Sequence, residues 1–113
     1  MKNIVIVTAT RAEYGILTPL IRAVEEDKEL ELKLIVTGAH LSDKYGKTES
    51  YIEKDGFSIE RRIPILDEGN TSTDISFSVA RAIEGFARYF NEDRADMVVI
   101  LGDRIEMLGV AIA

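Results

Sequence analysis

Four short apolar runs alternate along the chain with four stretches of helical periodicity. Residues 4–7 are β-branched throughout and read as a strand buried on both faces. Residues 32–36 and 97–101 are largely apolar in the same way and read as two more buried strands. Ile59-Glu60-Arg61-Arg62-Ile63 is half polar and Pro64 follows it, which suits a strand near a sheet edge. Leu17, Leu20, Ile21 and Val24 recur at helical spacing and predict the first helix. Two starts fit it: Thr18 as N-cap with Pro19 at the first helical position, or a start near Glu13 with a kink at Pro19. A short second helix is predicted over residues 45–54, stopped by Asp55-Gly56. Asp67-Glu68-Gly69-Asn70 reads as a loop. Residues 71–74 give a polar lead into a long third helix, with one face marked by Ile75, Val79, Ala82, Ile83, Phe86 and Phe90. A fourth helix begins over residues 106–113.

Repeated βα units require right-handed crossovers and a mostly parallel sheet. The expected class is therefore α/β, a Rossmann-like open parallel sheet with helices on both faces. The half-polar third strand sits best at an edge, which favours the order 3-2-1-4. Ligands of such sheets bind outside the carboxyl ends of the strands. Three polar segments stand there: Thr8-Ala9-Thr10-Arg11-Ala12-Glu13-Tyr14-Gly15, Gly38-Ala39-His40-Leu41-Ser42 and Gly102-Asp103-Arg104-Ile105-Glu106. Strands one and four are neighbours in this order, so Arg11 and Asp103 are expected to face each other across the switch point.

Composition narrows the chemistry. A length of 113 residues supports one domain. The net charge of −6 comes with no basic stripe, which argues against a nucleic-acid partner. There is no cysteine, hence no disulfide and no thiolate metal site. No apolar run approaches the ~20 residues needed to cross a bilayer, and the N-terminus enters a strand at once, leaving no room for a signal peptide. A cytoplasmic protein without a membrane partner is expected. No G-x-G-x-x-G follows the first strand, no P-loop is present, and the single histidine makes zinc improbable; neither a cofactor nor a metal is expected. The run ending at Ala113 has no glycine cap. Residues 1–113 thus read as the incomplete, N-terminal part of a larger enzyme.

Each candidate residue has a plain reading beside the functional one. Arg11 could join helix N–H groups in holding a phosphate or carboxylate, or pair with Glu13 or another rim carboxylate. Asp103 and Glu106 have the spacing of a capping box. A carboxylate at a helix N-terminus is stabilised as the anion, so a catalytic Asp103 would need desolvation or bound substrate to raise its pKa. His40 could pack or line the site. Tyr45, Tyr51, Phe57 and Phe77 could stack on a base, although helix-core packing suits most of them better. Ser42 and Thr71-Ser72-Thr73 read as helix-start residues.

Taken together, Thr10-Arg11-Ala12-Glu13-Tyr14-Gly15, Gly38-x-His40-Leu41-Ser42 with Tyr45-Gly46, and Gly102-Asp103-Arg104-x-Glu106 resemble the UDP-N-acetylglucosamine 2-epimerases. They look like the hydrolysing branch, which serves sialic-acid and related pathways. The non-hydrolysing branch has Arg-Pro-Glu and Gly-Asp-Thr where this chain has Arg11-Ala12-Glu13 and Gly102-Asp103-Arg104. The resemblance implies the first of two Rossmann-like domains in a glycosyltransferase-B arrangement, with a UDP-sugar held in the cleft between them. It implies metal-free elimination of UDP across C1–C2, followed by addition of water across the same two carbons with the opposite stereochemical sense at C2. Asp103 would then be a catalytic carboxylate, Arg11 and Arg104 would contact substrate or diphosphate, and His40 would line the site. Glu13 and Glu106 would be structural or would support the residues that touch substrate. The full-length parent would be a homo-oligomer and the chain alone inactive. The alternatives are an acceptor-side glycosyltransferase-B domain and a non-enzymatic flavodoxin-like binding module.

Overall fold

The computed structural model describes residues 2–41, 48–65, 71–101 and 105–113. A four-stranded parallel sheet is built from β1 (Lys2–Thr8), β2 (Leu30–Thr37), β3 (Ile59–Ile63) and β4 (Met97–Ile100) in the order β3-β2-β1-β4. This is the 3-2-1-4 order expected from the half-polar third run. The central pair is in register from Lys2 opposite Leu30 to Thr8 opposite Val36. An irregularity between Leu34 and Ile35 shifts the pairing with β3 by one residue.

The period of two along β1 and β2 divides the core. Ile4, Ile6, Leu34 and Val36 face one way, onto Tyr14, Leu17, Ile21 and Val24 of α1 (Arg11–Glu26) and Ile52 of α2 (Glu49–Lys54). Val5, Val7 and Ile35 face the other way, onto Ala82, Phe86 and Tyr89 of α3 (Ser72–Glu92) and Met107 and Val110 of α4 (Ile105–Ile112). Both faces of the central strands are covered, which is why residues 4–7 carry no polar alternation.

The helices start where capping chemistry places them. α1 begins after Thr10, whose hydroxyl accepts from the Glu13 N–H while the Glu13 carboxylate returns to the N-cap backbone. This reciprocal box settles which start is used: Pro19 lies inside the helix. α3 begins with a second such box, Thr71 with Asp74; its hydrogen bonds from Thr71 hold the Asp74 carboxyl below its usual pKa. The buried face of α3 runs through Ser78, Ala82, Phe86 and Tyr89, leaving Ile75 exposed. α2 begins at Glu49; the earlier residues 45–47 of its expected span lie outside the described residues, and Gly56 follows it with φ 86°.

β4 departs from the buried strand that its apolar run predicts. Met97 is 58% and Val98 40% exposed, because among the described residues β4 pairs with β1 on one side only. No helix among the described residues is long and apolar enough to cross a membrane.

Candidate functional site

The carboxyl ends of β1 and β2 carry the described part of the site. Thr8 closes β1 and is fully buried. The chain then turns into α1, and the Glu13 carboxylate accepts the N–H groups of both Ala9 and Thr10 (3.2 Å for Thr10). Glu13 therefore fixes the turn that presents Arg11, in keeping with a structural role. The signal for this was the Thr10-x-x-Glu13 spacing, a capping box in plain sequence.

The 3₁₀ turn Gly38–Leu41 follows β2 and docks directly on this turn. Gly38 has φ 60°, and a Cβ there would stand 3.0 Å from the Ala9 Cβ. The His40 N–H donates to the Ala9 carbonyl at 3.1 Å. The imidazole is fully buried, with Nε2 2.9 Å from the Thr8 hydroxyl and Nδ1 2.8 Å from the Thr48 hydroxyl. A ring protonated at Nε2 satisfies this set: it donates to Thr8, whose hydroxyl points on toward the Thr10 carbonyl at 3.5 Å, and accepts from Thr48. The Tyr14 ring stands edge-on to it at 6.1 Å. Burial pushes the imidazole pKa down from 6.5 to about 4, so the ring is neutral at physiological pH. His40 lies at the rim as expected, but both nitrogens are engaged inside the protein.

Arg11 is exposed and turned toward α2. Its guanidinium carbon lies 4.2 Å from the centre of the Tyr51 ring, with the Lys54 ammonium 5.9 Å from the same ring. Stacking occupies the guanidinium face and leaves its in-plane donors available to an anion. Beside the stack is an open cavity of about 550 Å³, lined by Arg11, Ala12, Tyr14, Gly15, Thr18, Tyr51 and Asp55. Tyr14 donates its hydroxyl to Asp55 at 2.5 Å; burial first, then that carboxylate, raises the phenol pKa well above its usual value. Tyr51 is one of four aromatics that the sequence left between base stacking and core packing; of the others, Phe57 is buried in the core, Phe77 is exposed and Tyr45 lies outside the described residues. Tyr51 stacks, but on Arg11. Thr8 was marked in the sequence only as the first residue of the segment after the first strand, and Thr48 carried no signal, since an isolated threonine near a helix start is ordinary.

Asp103 and Arg104 lie outside the described residues, as does Ser42; the side chain of Glu106 does too. In sequence, Asp103 and Arg104 stand between β4 and α4. The cross-crevice pairing of Arg11 with Asp103 therefore lies outside the described residues. Among those residues, no group of three or more His, Cys, Asp or Glu side chains is placed to hold a metal ion.

An open parallel α/β sheet with helices on both faces and polar groups gathered at its carboxyl edge defines a Rossmann-like domain. Residues 22–113 match the family model described as UDP-N-acetylglucosamine 2-epimerase. The chain belongs to that family. It is 46% identical over 97% of its length to a GDP/UDP-N,N′-diacetylbacillosamine 2-epimerase (hydrolyzing) of Campylobacter jejuni, 28% of which is covered. It is 40% identical over its full length to a polysialic acid biosynthesis protein of Escherichia coli, covering 29% of that protein. A UDP-N,N′-diacetylbacillosamine 2-epimerase (hydrolyzing) of Legionella pneumophila is 34% identical, with 30% covered. The chain thus spans less than a third of the length of these relatives. Its fold matches the solved structure of a putative UDP-N-acetylglucosamine 2-epimerase from Listeria monocytogenes with a TM-score of 0.82, at 19% identity, over 99% of this chain and 28% of that one.

Proposed function

We propose that the chain forms the first domain of a hydrolysing 2-epimerase acting on UDP-N-acetylglucosamine or a UDP-diacetamido sugar. The observation that carries this reading is the 46% identity, over nearly the whole chain, to a relative named for that hydrolysing activity. The substrate would lie between this domain and a second one. UDP departs from C1 as the C2 proton is removed, giving a 2-acetamidoglucal; water then adds across the C1–C2 double bond, its oxygen to C1 and a proton to the opposite face of C2, which inverts C2. The products are UDP and the free 2-epimer.

In this scheme Asp103 moves the C2 proton or its counterpart in the hydration step. Arg11 and Arg104 hold the diphosphate as its negative charge develops. Support for Arg11 comes from its stacked, exposed guanidinium at the carboxyl edge of β1. His40 lines the site from inside the rim. The full-length protein would be a cytoplasmic homo-oligomer, and the 113-residue chain by itself would bind UDP weakly and turn nothing over.

The test is product analysis. Full-length protein incubated with UDP-N-acetylglucosamine, and separately with UDP-N,N′-diacetylbacillosamine, should release UDP together with the free 2-epimerised sugar from at least one of them. Release of neither product, or a 2-epimer still attached to UDP, would contradict the hydrolysing assignment.

A further inference from the structure

His40, Thr48, Tyr51 and Arg11 form a closed circuit. Arg11 opens α1, directly after the β1 turn. His40 is bolted to that turn through its backbone N–H to Ala9 and through Nε2 to Thr8. From the other side of the same ring, Nδ1 meets the hydroxyl of Thr48, the N-cap residue of α2. Three residues on, Tyr51 lies under the Arg11 guanidinium, and its N–H donates to the Thr48 carbonyl at 3.1 Å. Each link is a direct contact, and the last returns to the residue after the turn where the first is anchored.

The behaviour of Thr48 gives the circuit its meaning. A threonine at an N-cap ordinarily spends its hydroxyl on the N–H groups of the first helical turn. Thr10 and Thr71 do so in this chain. Thr48 makes no such side-chain cap; its hydroxyl is committed to His40 instead. The start of α2 is thus referenced to the β1–β2 rim rather than to its own helix. The body of α2 has separate anchors, the buried Ile52 and the Arg62 guanidinium, which reaches Glu49 and Glu53 at 2.7 Å each. Those anchors hold the helix on the protein. The His40–Thr48 bridge sets where its first turn, and hence Tyr51, stands relative to Arg11.

We infer that His40 is a positioning residue for anion recognition: acting through Thr48, it holds the Tyr51 ring as a platform that aims Arg11 at the diphosphate of the substrate. The inference rests on the proposed role of Arg11 and deepens it. A long guanidinium side chain free in solvent loses rotamer freedom when it grips an anion. A platform that orients it beforehand reduces that cost. His40 touches no substrate in this role.

The experiment measures UDP affinity and steady-state kinetics in the full-length protein. Thr48→Val removes the hydroxyl at nearly constant shape, Thr48→Ser keeps it, and neither disturbs the Ile52 or Arg62 anchors. Loss of one hydrogen bond's worth of positioning should weaken UDP binding and raise KM about three- to tenfold in Thr48→Val, with kcat little changed and Thr48→Ser close to wild type. In an Arg11→Ala background the Thr48→Val change should have no further effect, because the group being aimed is gone. A Thr48→Val protein with wild-type affinity beside a weakened Arg11→Ala protein would overturn the positioning role alone. So would a Thr48→Val penalty that persists undiminished without Arg11. An Arg11→Ala protein with unchanged UDP affinity would overturn the underlying role of Arg11, and the inference with it.

Discussion

The β1–β2 rim and the β4–α4 flank are both made of apolar strands leading into helices, yet they are held in different ways. At the rim, Glu13 fastens the Ala9–Thr10 backbone, and His40 joins Thr8 to Thr48. Gly38 is tight against Ala9. Almost every polar atom named there has a partner inside the protein. At the flank, Val98 is half-exposed, Leu108 and Ile112 of α4 are more exposed still, and an open cavity of about 620 Å³ lies among residues that include Phe90, Val98, Ile100 and Val110. α4 nevertheless sits close on α3, since a Cβ on Gly109 would come within 2.7 Å of the Ala82 Cβ. One end of the sheet is a pre-organised polar scaffold. The other, among the described residues, is an apolar surface whose strand pairs with β1 on one side.

This contrast should appear first in truncation energetics. Leu34→Ala removes a fully buried side chain from the covered part of the sheet and should cost about 2–5 kcal/mol. Val98→Ala on the flank should cost less than about 1 kcal/mol, because little contact is lost. Urea denaturation of the two variants checks this. Similar costs would mean that the flank is as well covered as the rim.

Glycine substitutions sharpen the same comparison at smaller scale. Gly38 and Gly56 both have positive φ, but only Gly38 has a neighbour where a Cβ would stand. Gly56→Ala should show the left-handed backbone penalty alone, about 1–2 kcal/mol. Gly38→Ala should add a further contact penalty against Ala9. Thermal melts of the pair measure the difference, and equal shifts would remove the tight packing of the two rim turns.

A pH dependence centred on His40 probes the rim by itself. Its folded-state pKa is lowered toward about 4 from 6.5, so the unfolded chain binds the proton first. Stability should therefore be fully present above pH 6.5 and decline as the pH falls toward about 4. In His40→Gln that part of the decline should be absent, leaving only the carboxylate titrations at lower pH. A His40→Gln protein with the same slope between pH 6.5 and 5 would show that the buried imidazole is not its source.

The strands and their order were readable because burial on both faces leaves an apolar run and an edge leaves charges. β3 shows the second case, with Glu60, Arg61 and Arg62 exposed and only Ile63 of its last residues buried. β4 shows where the rule stops: Met97-Val98-Val99-Ile100 has interior composition, but its burial depends on which neighbours cover it. The start of α1 could not be decided from Pro19, because a proline is compatible with either a first turn or a helix interior that tolerates it; the Thr10–Glu13 box decides it. Of the site, Arg11 and His40 were legible as rim residues from their place after β1 and β2. The burial of His40, its two threonine partners and the Tyr51 platform were not, since each depends on contacts between segments far apart in sequence.

The central claim, that this rim belongs to a hydrolysing epimerase in which Asp103 is the catalytic carboxylate, is tested most directly by Asp103→Asn in the full-length protein. Asparagine caps a helix about as well as aspartate, so the melting temperature should be retained. Removal of a proton-transfer group should lower kcat for release of UDP by at least about a hundredfold. Both quantities are measured on one preparation. A folded Asn variant that releases UDP and the free 2-epimer at near-normal rate would contradict the account.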